Sequence, residues 1–281
     1  MQPKRLGWAA VAVAVFLGGW AAGASAQTAG RDGRSDRANQ PAAEKGLKPG
    51  TVRASKIIGM NVYDRQGNDK LGTVKDVLID PSANRVEYAV LSTTKAAGMG
   101  DRYVGVPWTE FTETQDGKDL AIKTDKDRLA QAPSFTGDRW PDQADRSFWD
   151  KVSSYFGGSA SNASSEAARE MHLVRGSQLL KQAVENPQNQ RLGTIQDVVY
   201  DVDSGRVRYA VLGEGGLLGL GEKFFAIPLN AFKFSNDNSK LVLNADKDRL
   251  AKAPGFDKNN WPDVANRQFD RQVTNYWGSR G

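Results

Sequence analysis

The sequence predicts a mainly β protein with short helices, arranged as two small antiparallel barrels in tandem, each followed by a C-terminal amphipathic helix. Three observations lead there. The chain repeats itself over a domain-sized interval: Leu71-Gly72-Thr73 falls on Leu192-Gly193-Thr194, an offset of 121 residues that then holds to the end of the chain. Within each copy, short apolar runs alternate with polar residues and are bracketed by turn chemistry. Toward the end of each copy the apolar period changes from two to that of a helix.

The first 26 residues carry a basic start at Lys4 and Arg5, an apolar run from Leu6 to Ala24, and the small residues Ala24-Ser25-Ala26 before Gln27. This pattern predicts a secretory signal peptide over 1–26, cleaved after Ala26. The alternative is a retained anchor, because the run has the length of roughly 20 apolar residues that a bilayer-spanning helix needs. Residues 27–50 are polar with Gly and Pro, which predicts a disordered segment. The first module is expected over 51–157, a Gly/Ser/Ala-rich linker over 158–170, and the second module over 171–281.

In the strand-rich part, Val86, Tyr88 and Val90 alternate with Glu87 and Ala89, and the copy offers Val207, Tyr209 and Val211 alternating with Arg208 and Ala210. The exchange of Glu87 for Arg208 predicts a solvent-facing side. Turns are signalled by "RQGND", "PSAN", "QDGK", "DSG" and "NDNS", whose Gly, Asn and Asp residues supply tight-turn conformations. Strands at this spacing favour a small antiparallel barrel. Phe148, Val152 and Tyr155, repeated as Phe269, Val273 and Tyr276, line one helical face expected to pack on the barrel of the same module.

The phrase "DKDRLAQAPSF" from Asp125 recurs as "DKDRLAKAPGF" from Asp246. Paired carboxylates such as Asp125 and Asp127 are what an acid hydrolase uses, so Asp125 and its copy Asp246 could serve catalysis. Carboxylates two residues apart on a helix point to different sides, however, and an Asp before a short helix caps its free N–H groups. Asp125 and Asp246 are therefore read as structural caps, with Pro133 stopping the first of the two turns. In "WPD", Trp140 and its copy Trp261 are read as apolar anchors, and Asp142 as a cap for the closing helix.

Composition narrows the chemistry. The net charge is +5, falling to +3 once Lys4 and Arg5 leave with residues 1–26. Acids are interspersed with bases, whereas nucleic-acid binding needs a dense basic face, so no nucleic-acid partner is expected. There is no cysteine and a single histidine, His172. This removes disulfides, thiolate metal sites and thiol nucleophiles, and leaves any histidine-based triad or metal site dependent on one residue. No catalytic residue, metal site or cofactor is expected.

The pairs "LGTVKDVLID" and "LGTIQDVVYD", the strands "VEYAVL" and "VRYAVL", the loop "GGLLGLGEK" leading to "FFAIP", and the tail "DKDRLAKAPGFDKNNWPD" resemble the PRC-barrel family. The likeness extends over Thr51–Gly157 and His172–Gly281. It implies a six-stranded barrel serving as an assembly or interaction module, with no catalytic residues to carry over.

The loop Gly213–Lys223 lacks the glycine spacing of a dinucleotide cradle, since Leu218 stands where that pattern needs Gly, and it leads into a strand. Its Leu217, Leu218 and Leu220 are the candidate partner-binding residues; the first module has "KAAGMGDR" there, with Met99 and less apolar bulk. The expected function is a non-enzymatic, exported interaction or assembly module in the periplasm or at the cell envelope, connected with stress tolerance and engaging an envelope protein or membrane-associated complex. With the signal removed, no transmembrane span would remain. The alternative is a small-molecule or ion carrier, with Glu214 and Glu222 at a barrel mouth as oxygen ligands.

Overall fold

A computed structural model describes residues 50–93, 102–114, 117–137, 139–141, 145–157, 172–213, 223–235, 240–257, 260–262 and 267–278. The chain divides into Met1–Ala43 and Glu44–Gly281, and every described residue belongs to the second unit. The first copy runs β1 (Thr51–Arg53), α1 (Ala54–Ile57), β2 (Asn61–Tyr63), β3 (Lys70–Asp80), β4 (Arg85–Thr93), β5 (Arg102–Pro107), β6 (Phe111–Glu113), β7 (Leu120–Ile122), α2 (Lys126–Gln131), β8 (Ser134–Thr136) and α3 (Arg146–Tyr155). The second runs β9 (Val174–Arg175), α4 (Gly176–Leu179), β10 (Ala183–Glu185), β11 (Arg191–Asp201), β12 (Val207–Gly213), β13 (Lys223–Ile227), β14 (Phe232–Phe234), β15 (Leu241–Leu243), α5 (Lys247–Ala251), β16 (Gly255–Asp257) and α6 (Arg267–Gly278).

Two sheets result, ordered β6-β7-β2-β3-β4-β5-β8 and β14-β15-β10-β11-β12-β13-β16. Each is eight-stranded, because β9 joins the first through β3 and β1 joins the second through β11. The expected six antiparallel strands thus need correction in number and in direction: β2 pairs with β7, and β10 with β15, in parallel. The extra strands have only two or three residues each, too short for an alternation to register in sequence.

The long hairpins β3–β4 and β11–β12 form the centre of each sheet, and both are buried on two faces. Ala210 and Leu212 enter the main core, whereas Tyr209 and Val211 form an outer layer with Phe224, Ala226 and Val273 of α6. The side expected to meet solvent is therefore the one that turns inward, with Glu87 and Arg208 at its edge. Alternation reports that two faces differ; it does not report that a helix covers the second one.

The closing helices pack on their own sheets, α6 through the expected Phe269, Val273 and Tyr276 and α3 on a shifted stripe. In α3 the buried residues are Trp149 and Val152, continued by Phe156, while Phe148 and Tyr155 lie half-buried on the flank. The helix is capped by Asp145, whose carboxylate accepts from the Phe148 amide at 3.2 Å; Asp142 lies outside the described residues. Gly105 makes room for the Trp149 ring, since a Cβ there would come within 2.8 Å of it. The second copy has Ala226 and Asp270 at these positions, and Trp277 reaches in to donate its indole N–H to the Ala226 carbonyl at 2.9 Å. Adding the methyl group by Gly105→Ala without removing Trp149 should overpack this contact and lower stability by about 1–3 kcal/mol, measured as a fall in the denaturant midpoint at unchanged slope.

Candidate functional site

The two copies are joined by exchanging their first strands. β1 leaves its own sheet and pairs antiparallel with β11, Thr51 opposite Asp201 and Arg53 opposite Val199. In return β9 pairs with β3, Arg175 opposite Leu78 and Val174 opposite Ile79. The Val202 amide donates to the Gly50 carbonyl at 2.8 Å, extending the first ladder by one bond.

A one-turn helix follows each donated strand, and neither has a cap of its own: the residues at the cap positions, Arg53 and Arg175, make no side-chain capping bond. The missing acceptor comes from the other copy. Asp197 accepts from the Ser55 amide at 3.1 Å and from its hydroxyl at 2.5 Å, and Asp76 accepts from the Ser177 amide at 3.0 Å and its hydroxyl at 2.5 Å. A helix start exposes unsatisfied N–H groups, and a carboxylate is a strong acceptor for them. Each carboxylate also takes the amide of its own next residue, Val77 or Val198, at 2.9 Å.

Both aspartates are 3% exposed. Burial pushes each carboxyl above its ordinary range, opposed by the serine hydroxyl and amide, the neighbouring valine amide and an arginine of the donated strand. The fully buried Tyr200 feels both charges: its phenol is raised well above its usual value by burial and by Asp197 and Asp76. Tyr200 meets Trp108 of the first copy edge-on at 5.4 Å, and Trp108 donates its indole N–H to the Val202 carbonyl at 2.7 Å.

The arginines of the donated strands complete the seam. The Arg53 guanidinium lies 4.6 Å from the ring centre of Trp261, and that of Arg175 lies 5.0 Å from Trp140. Trp261 packs on Phe224 and Phe256, and Trp140 on Tyr103 and Phe135. Each tryptophan thus stands between an aromatic cluster of its own copy and a cation of the other, a favourable pairing of charge with ring face.

Asp125 and Asp246 sit elsewhere, as caps of α2 and α5, accepting from the Arg128 amide at 2.8 Å and the Arg249 amide at 2.7 Å. The following arginines tie these short helices to the closing ones: the Tyr155 hydroxyl donates to the Arg128 carbonyl at 2.6 Å, and the Tyr276 hydroxyl donates to that of Arg249. Leu217, Leu218 and Leu220, with Glu214 and Glu222, lie outside the described residues. Among the described residues no group of three or more acidic or histidine side chains is placed to hold a metal ion, and no helix is long and apolar enough to cross a membrane. A shallow depression of about 480 Å³ lies beside α6, lined by Lys252, Pro254, Gln272, Asn275 and Tyr276.

Sequence reasoning missed the seam. Its signal is the repeated "VRAS" at Val52–Ser55 and "VRGS" at Val174–Ser177, with an Asp three residues beyond Thr73 and Thr194 in the matching strands. Asp76→Ala should cost about 3 kcal/mol, because it leaves the Ser177 and Val77 amides without acceptors, and Ser177→Ala, which removes one hydroxyl donor, about 2 kcal/mol. Equilibrium denaturation of the intact chain checks both, and a cost near zero for Asp76→Ala would contradict the trans-capping role.

A comparison with curated proteins finds no match to the chain. The sequence model of the PRC-barrel domain matches it twice, at residues 49–129 and 171–250. Each match begins just ahead of a donated strand and ends in the short helix that Asp125 or Asp246 caps. The chain belongs to the PRC-barrel family and carries two such domains in tandem.

Proposed function

We propose that this protein is a non-enzymatic interaction module, exported to the periplasm or the cell envelope, that holds a partner on a rigid two-domain platform in an assembly or stress-tolerance role. In each domain the six strands β2–β7, or β10–β15, are read as the barrel proper; β8 or β16 extends it and the donated strand fastens it to its neighbour. The observation that carries the reading is the use made of two buried carboxylates. Asp76 and Asp197 are spent on joining the domains, each holding a serine of the other, an arrangement that suits a scaffold.

A platform of this kind favours binding because the two domains need not be ordered when the partner arrives. Two related surfaces held at a fixed spacing also gain from effective concentration when the partner is repeated or composite. The basic-apolar-small pattern of residues 1–26 supports export, and the apolar Leu217, Leu218 and Leu220 in the β12–β13 connection are the proposed contact.

Cross-linking in the native envelope, followed by mass spectrometry, tests the proposal on the intact protein and on the Leu217→Ser/Leu218→Ser variant. The expected result is a recurrent partner that the variant loses while its melting temperature stays within about 2 °C of the parent, the response to well under 1 kcal/mol in a domain of this size. No recurrent partner in the parent would overturn the interaction role. A large loss of stability in the variant would place the leucines in a core and remove them as the contact.

A further inference from the structure

The seam is reciprocal in its aspartate–serine clamp but not in its shapes. Gly205 has φ +68°, and a Cβ there would come within 2.7 Å of the Trp108 ring and 3.0 Å of the Val86 carbonyl oxygen. Its counterpart in the first domain is Asn84, φ 55°, whose amide donates to the Val207 carbonyl at 2.8 Å. The residue matching Trp108 in the second domain is Leu229. A large ring on one side thus faces a glycine on the other, while a smaller leucine stands on the side that faces an asparagine.

A second pair repeats the pattern. Gly176, in the donated segment of the second domain, would place a Cβ within 2.6 Å of Val77 in β3. The first domain has Ala54 at that place, fully buried where it docks on β11, so β11 has room that β3 lacks. At the seam the second domain supplies Tyr200, packed on Trp108, and the first has Ile79 at the matching position.

Consider each domain against a copy of itself. Two first domains would set Trp108 against Asn84 and Ala54 against Val77, both too tight. Two second domains would set Leu229 against Gly205 and Tyr200 against Leu229, leaving a void where the Trp108 ring packs now. Bulk against bulk forces side chains off their rotamers, and a void forfeits contacts. Only the mixed pair matches ring to glycine on one flank and glycine to valine on the other.

We infer that the seam is a heterotypic recognition surface: the first domain is built to bind the second domain of this chain and to reject a copy of itself, and this binding does not depend on the covalent linker. The seam is therefore closed by the chain's own halves, which keeps it from nucleating open, strand-exchanged assemblies between copies. The outer edges of the two domains remain as the surfaces available to other partners.

The test cuts the intact, folded chain at a protease site placed within residues 158–170 and follows the halves by analytical ultracentrifugation at micromolar concentration. The expected result is a single one-to-one complex of the mass of the uncut chain, with no first–first or second–second pair. Gly205→Asn should weaken the complex by 100-fold or more, on the order of 3 kcal/mol, because the left-handed conformation suits Asn as it does at Asn84 and the penalty comes from the Trp108 ring. Adding Trp108→Leu, the residue of the second domain, should recover at least tenfold of that loss by freeing the new amide to donate to the Val86 carbonyl. Should Gly205→Asn fail to fold, Gly176→Ala with and without Val77→Ala supplies the same comparison on the other flank. Separation of the wild-type halves, the presence of self-pairs, or an equal loss with Trp or Leu at 108 would overturn the inference.

Discussion

The join between the two domains is centred on a carboxylate in one domain capping the first turn of a helix in the other. Asp197 receives Ser55, and Asp76 receives Ser177, each through an amide and a hydroxyl. The donated strands β1 and β9 are too short to hold by ladder bonds alone, and the one-turn helices behind them are too short to form alone. What fixes them is a buried acceptor already seated in the central strand of the neighbouring sheet. Removing that acceptor takes the partner from the buried Val77 or Val198 amide and uncaps the helix of the other domain at once, so the seam is sensitive to single changes out of proportion to its size.

Both domains of the duplicated chain carry the same clamp, while other packed sites are filled by different but matched sets. Trp149 beneath Gly105 in the first domain becomes Asp270 and Ala226 in the second, with Trp277 taking over part of the cover. Trp108 against Gly205 shows the same matching across the seam. The carboxylate and serine of the clamp are alike in both domains, since they have few substitutes in that geometry. The residues packed elsewhere differ, since volume can be kept by more than one combination.

Much of the fold is legible in the sequence because it is written locally. The repeat, the turn residues, the strand alternation and the caps Asp125 and Asp246 each depend on residues within a few positions of one another. The left-handed turn positions can likewise be read from Asn84 and its counterpart Gly205. The seam is not legible in that way. β1 and β9 have no period to display, and the partner of Ser55 lies 142 residues away at Asp197. The two-sided burial of β4 and β12 also escaped, because the polar Glu87 and Arg208 lie at the edge of an otherwise apolar face. For the Gly213–Lys223 loop the sequence supplied the leucines, and their role is a matter of what meets them.

If the reciprocal clamp makes the two domains one body, they cannot melt apart. Scanning calorimetry of the intact chain measures this directly. The account predicts a single transition for both domains, with calorimetric and van 't Hoff enthalpies equal. Two separable transitions, or a calorimetric enthalpy about twice the van 't Hoff value, would contradict it.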